Sequence, residues 1–171
     1  MKILKEYNSF IKNDFLDLES VIDYLDGDIN KTTPWGQNAL QKCILAVKSP
    51  TDEQLCIDII DYLVDNGIDI NHVDNTEETP LTLAYKNSRW TILDYLIEKG
   101  ADMNKNTYDI LITASEIDTL DNIIKLLDMG IEWSLGFFEN LKPAEQDIIK
   151  EKFPEKYKDY MKRQKTKEFN L

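Results

Sequence analysis

The sequence predicts an all-α solenoid of about four helix–turn–helix units with a C-terminal helical cap. Three observations carry this. Gly67-Ile68-Asp69-Ile70-Asn71 returns 33 residues later as Gly100-Ala101-Asp102-Met103-Asn104, and a period of that length marks a stacked helical array. Between the two copies lie a helix start at Thr79-Pro80 and, further on, Ile92, Leu93, Leu96 and Ile97, spaced as the apolar stripe of a second helix. A helix pair of this kind buries one side only, so it needs neighbours on either side.

Residues 1–30 read as an atypical first unit. Ile3, Leu4, Tyr7, Phe10 and Ile11 fit one helical face, and Leu18, Val21, Ile22 and Leu25 fit another. Asp17, Glu19 and Asp23 supply the polar outer side that a terminal unit requires. Asp26-Gly27-Asp28-Ile29-Asn30 echoes the repeat ending.

Residues 31–71 form the second unit. Thr33-Pro34-Trp35-Gly36-Gln37 is a turn signal. Asn38 caps the helix that follows. Cys43 to Ile60 spans 17 residues where the equivalent Ala84 to Leu93 spans nine, so about eight extra residues lie near Ala46 to Leu55. Thr51 is expected to cap a lengthened second helix, with Asp52 and Glu53 favourable in its first turn. Ile59 to Val64 then matches Ile92 to Ile97 position for position.

In the third unit, residues 72–104, the Thr79 hydroxyl accepts from free N–H groups of the first turn and Pro80 takes the first helical position. Leu81 and Ala84 share a face, and the small Ala84 admits the next helix. Gly100 ends the second helix, because glycine adopts φ > 0 cheaply. Residues 105–133 are a degenerate fourth unit, with helices around Asp109 to Ala114 and Ile123 to Leu127 and an ending at Gly130-Ile131-Glu132-Trp133. In residues 134–171, Pro143 begins a helix carrying Ile148, Ile149 and Phe153, read as a cap. Pro154 restarts a charged helix with Tyr157, Tyr160 and Met161.

The stretch Thr79-Pro80-Leu81-Thr82-Leu83-Ala84, followed by Ile92 to Asn104, resembles an ankyrin repeat. The family's Thr-Pro-Leu-His-x-Ala is matched with Thr82 where His is usual, and Asn38 to Cys43 replaces it without the proline. The division implied is an array over 1–133, in approximate repeats 1–30, 31–71, 72–104 and 105–133, and a cap with a basic tail over 134–171. The resemblance implies protein–protein interaction through the hairpin finger tips and the exposed side of the first helices. Carried over by position, the partner-binding residues are Trp35 and Gln37, with Leu45 and Ala46 beside the insertion. In the third repeat they are His72, Asp74, Asn75, Thr76 and Glu78 of the finger and Lys86 and Asn87 of the helix. Tyr108 belongs to the short fourth finger. Trp35 at a finger tip either meets a partner or packs against the neighbouring finger. Trp90 is expected in the core, and Tyr24, Tyr62 and Tyr95 are expected to be structural.

Composition narrows the function further. The chain of 171 residues carries 32 Asp and Glu against 20 Lys and Arg, a formal charge of −12. Residues 150–171 hold eight Lys and Arg against four Asp and Glu, a net +4, which leaves −16 on the rest. Such a surface disfavours nucleic acid, whose recognition needs positive charge, and favours a basic protein partner. No run approaches 18 apolar residues, so no membrane span is expected. Lys2, Lys5 and Glu6 have no apolar run behind them, so no secretory leader is expected. Cys43 and Cys56 read as free buried thiols of a reducing compartment, which makes the cytoplasm the expected location.

Catalysis, metals and cofactors are not expected. His72, the sole histidine, has no nucleophile or acid arranged around it and is expected to stand exposed on the finger. Asp28, Asp69, Asp102 and Glu132 recur once per repeat and are expected to satisfy turn backbone groups. No calcium loop or glycine-rich phosphate loop is present. The expectation is a non-catalytic protein-binding module, monomeric when unbound. The sharper one is an acidic, immunity-type inhibitor of a basic protein such as a toxin. Its alternative is an effector that recruits cellular proteins.

Overall fold

The computed structural model describes residues 15–105, 108–117, 119–133 and 136–168. Every element among them is helical, and the chain forms two compact units, residues 1–106 and 107–171. The helix expected over residues 3–11 lies outside the described residues.

The first unit contains α1 (Leu18–Leu25), α2 (Ala39–Ala46), α3 (Pro50–Asp65), α4 (Pro80–Lys86) and α5 (Trp90–Glu98). Helices α2 and α3 pair, as do α4 and α5; α2 packs beside α4, and α3 beside α5. This is the stacking that the 33-residue period predicts. Leu40, Ile44, Ile60, Leu63, Leu81, Ala84, Ile92, Leu93 and Leu96 fill the core between the pairs. Each fully buried Leu or Ile contributes roughly 1.5–3 kcal/mol.

Local chemistry fixes where these helices begin. Thr79 Oγ1 accepts from the Thr82 N–H (3.1 Å), and Thr82 Oγ1 accepts from the Thr79 N–H (2.7 Å). Asn38 and Gln41 make the same reciprocal pair at 3.0 Å each way. The start of α3 differs from the expectation. Ser49, rather than Thr51, is its cap: its hydroxyl accepts from the Asp52 N–H (3.3 Å), and Asp52 Oδ2 accepts from the N–H groups of Ser49 and Lys48 (2.9 Å each). Those backbone donors, Lys48 first, hold the Asp52 carboxyl below its usual range. Pro50 explains the choice: its fixed φ suits the first helical position, so the cap must be the residue before it.

The helix ends follow one scheme. Gly67 and Gly100 turn left-handed (φ 83° and 93°), and the next residues, Ile68 and Ala101, donate back to the carbonyls of Leu63 and Leu96. Three of the four recurring acids do what their recurrence predicts. Asp28, Asp69 and Asp102 each accept from the N–H two residues on, at 3.0, 2.9 and 2.8 Å. Asn71 Oδ1 also accepts from the Asp102 N–H (2.7 Å), which ties one repeat ending to the next.

Of the eight inserted residues, seven lengthen α3 at its start (16 residues against 9 in α5) and one lengthens α2 (8 against 7 in α4). The Arg89 guanidinium donates to the Val47 carbonyl (2.7 Å) and pairs with Glu53 (3.6 Å), so the third repeat braces the inserted turns. Asp61 on α3 pairs with Lys99 and accepts from the Tyr95 hydroxyl (2.6 Å). Both partners, Lys99 foremost, hold its carboxyl below the usual range. Tyr95 is therefore a structural bridge.

Three expectations about burial change. Leu18 and Ile22 of α1 are exposed while Val21 and Leu25 are buried, so the apolar stripe is only half covered among the described residues. Ala46, at the end of α2, is buried rather than on the exposed side of that helix. Trp90 is half-buried, its ring edge-on to Tyr85 (5.7 Å) at the start of α5 instead of within the core.

The second unit contains α6 (Tyr108–Ile117), α7 (Leu120–Asp128), α8 (Phe137–Asn140), α9 (Pro143–Lys152) and α10 (Pro154–Glu168). Helix α6 packs on both α7 and α8. The sequence reading missed α8, which is too short to show periodicity. Its Phe138 stacks on Trp133 (5.5 Å), with Tyr157 and Tyr160 of α10 beside them. Lys156 on α10 donates to the carbonyls of Leu127 and Ile131 (2.9 and 3.2 Å), covering the end of α7. Burial pulls its amine below the ordinary lysine value. Ile149 is buried, whereas Ile148 and Met161 face solvent. No helix among the described residues is long and apolar enough to cross a membrane.

Candidate partner-binding face

The face is built from two hairpin fingers, Thr33–Gln37 and Asp74–Glu78, whose residues correspond one to one at an offset of 41. The first residue of each receives the turn. Thr33 Oγ1 accepts from the N–H groups of Trp35 and Gln37 (3.2 Å each); Asp74 Oδ1 accepts from those of Thr76 (2.8 Å) and Glu78 (3.0 Å). In each finger the first N–H donates to the fifth carbonyl, and the fourth N–H to the first carbonyl. This closure forces the fourth residue left-handed: Gly36 at φ 78° and Glu77 at φ 63°.

The fingers are also bonded to each other. The Asn75 N–H donates to the Trp35 carbonyl (3.0 Å), and Asn75 Nδ2 donates to the Pro34 carbonyl (3.2 Å). His72 Nε2 lies 2.6 Å from the Gly36 carbonyl, which only accepts, so this nitrogen carries the proton. A Cβ on Gly36 would sit 2.5 Å from Asn75 Oδ1, so the Thr33–Gln37 finger needs glycine for contact as well as for φ. From below, Gln41 Nε2 donates to the Glu78 carbonyl (2.7 Å), and Asn38 Nδ2 to the Asp69 carbonyl (3.1 Å).

The expected site residues separate into two groups. Trp35 is 53% exposed, and Asn75, Thr76, Lys86 and Asn87 are exposed too, with Gln37 and Glu78 half-buried. Glu78 and Lys86 form an ion pair at 2.8 Å, and Asn87 Nδ2 donates to the Leu83 carbonyl (2.8 Å). The second group turns inward. Asp74 is 5% exposed, because its carboxylate anchors the finger it belongs to. His72 is half-buried against Gly36, contrary to the exposed position expected for it. Tyr108 opens α6, and its side chain lies outside the described residues.

Sequence reasoning passed over Gln41, which is fully buried and joins α2 to the Asp74–Glu78 finger. The available signal was Gln three residues after a capping Asn. Among the described residues, no group of three or more His, Cys, Asp and Glu is placed to hold a metal ion. What the face offers is a Trp indole, amides, a hydroxyl and a carboxylate–ammonium pair on a braced backbone. That set suits contact with another macromolecule.

A family model described as ankyrin repeats (3 copies) matches residues 11–107 and 45–135. No curated protein matches the chain.

Proposed function

The chain belongs to the ankyrin-repeat family, whose members are protein–protein interaction modules, and from that premise we propose that it captures and neutralises a basic protein partner. The observation that carries this is the exposed Trp35 on a finger row within an acidic unit. Residues 1–106 hold 19 Asp and Glu against 10 Lys and Arg, a net −9. Tryptophan supplies much of the binding energy where it is buried on association, and an acidic surface speeds encounter with a basic one. In this reading Trp35, Gln37, Asn75, Thr76, Glu78, Lys86 and Asn87 meet the partner. His72 and Asp74 hold the fingers in place. The array over 1–133 binds, the segment 134–171 caps it, and the chain works without catalysis as a cytoplasmic monomer of the immunity type.

The test is capture of partners by the tagged full chain, with mass-spectrometric identification. A basic protein is expected, released as NaCl approaches about 1 M, where screening acts over about 3 Å. Trp35→Ala is expected to weaken capture at least tenfold. Neutral or acidic partners held regardless of salt would overturn neutralisation of a basic target. Undiminished capture by Trp35→Ala would overturn the finger assignment.

A further inference from the structure

Cys43 lies on α2, and Cys56 lies 13 residues later in α3. The 33-residue correspondence pairs Trp90, the first residue of α5, with Ile57, so Pro50–Cys56 are the turns that α3 has and α5 lacks. Both thiols are fully buried. Their sulfurs stand 2.8 Å apart, and Cys43 Sγ is 3.9 Å from the Cys56 carbonyl oxygen. A disulfide bond is about 2.05 Å long, so less than an ångström of sulfur movement separates the dithiol from the bonded pair. The backbone on either side is already fixed by the Ser49 cap and by Arg89 on Val47 and Glu53.

We infer that Cys43 and Cys56 are an oxidation site, a dithiol that hydrogen peroxide converts to an intramolecular disulfide without rearranging the α2–α3 pair. One thiol gives up its proton and attacks a peroxide oxygen. The S–O bond forms as the O–O bond breaks, and the departing hydroxide takes that proton to become water. The second sulfur then attacks the sulfenic sulfur. The S–S bond forms, the S–O bond breaks, and the leaving hydroxide takes the second thiol proton. Two thiols lose two electrons, and one peroxide becomes two waters. Burial, reinforced by the neighbouring Cys56, pushes the Cys43 thiol well above its ordinary value. It therefore rests protonated, and oxidation waits on a transient local opening that admits peroxide, after which the α2–α3 pair recloses in the same packing. The bond would tie the inserted turns to α2 and restrict the unfolded chain, so the oxidised protein is the more stable form.

The experiment treats the full chain with hydrogen peroxide, quenches it, unfolds it, and alkylates with N-ethylmaleimide before intact-mass measurement. The expected product is a monomer that has lost two hydrogen atoms, takes up no alkylating agent, melts higher than the reduced protein, and reverts with dithiothreitol. Cys43→Ala and Cys56→Ala are expected to gain oxygen or form linked dimers instead. Wild-type protein that keeps two alkylatable thiols, or gains oxygen atoms in place of losing hydrogens, would overturn the inference whether or not the variants fold.

Discussion

Gly36 and Glu77 occupy equivalent corners of neighbouring fingers, and chain closure demands the same left-handed turn of each. Glycine adopts it freely, whereas other L residues give up about 1–2 kcal/mol there. Gly36→Ala is expected to destabilise by more than that, because the new methyl also strikes Asn75. Glu77→Gly is expected to stabilise by up to about 1 kcal/mol. Urea midpoints of the two variants give the comparison, and equal, small shifts at both corners would refute it. The same scale shows why His72 and Asp74 were misplaced from sequence. Nothing within a few residues of His72 indicates its partner, since the Gly36 carbonyl lies 36 positions earlier. Asp74 could have been recognised locally, because a turn-opening Asp accepts from the following N–H groups.

At the scale of the helix, starts and stops were legible where a side chain closes its own turn. Thr79-Pro80, Asn38 and the glycines ending α3 and α5 each act within four residues, so sequence order determines them. The start of α3 was misread because two hydroxyl residues flank Pro50, and only the one before it can cap. Ser49→Ala is therefore expected to cost about 1 kcal/mol, and Thr51→Ala, exposed in the first turn, less than about 0.5 kcal/mol. Thermal or urea unfolding of both variants checks this, and a larger loss at Thr51 would reverse the assignment. Helix α8 was not legible for a different reason. Four residues hold barely one turn, and Phe138 is fixed by Trp133, Tyr157 and Tyr160 rather than by any periodic stripe.

For the whole chain, the repeat period and the family were legible because one helix pair is copied with its caps intact. The exposed face was only partly so, since which finger residues remain outside depends on bonds between repeats. Charge acts at this scale too. With 32 acidic and 20 basic side chains, the net charge of −12 is expected to make repulsion outweigh the ion pairs that the folded chain assembles. Added salt screens both, but the excess is repulsive. Raising NaCl from about 0.01 M to about 0.15 M shortens the screening length from about 30 Å to about 8 Å, and is expected to stabilise the fold by roughly 1 kcal/mol. Calorimetry across that range would show a rising melting temperature, and a falling one would mean that attractive pairs dominate.

The cross-finger bonds from Asn75 and His72 to the Pro34, Trp35 and Gly36 carbonyls have a kinetic consequence. A template already frozen surrenders little freedom when a partner arrives, so the cost of ordering falls mainly on the other molecule. Encounter would then proceed without a rearrangement step. Differences in grip among altered versions of this face would show up in how long each complex survives, rather than in how quickly it assembles.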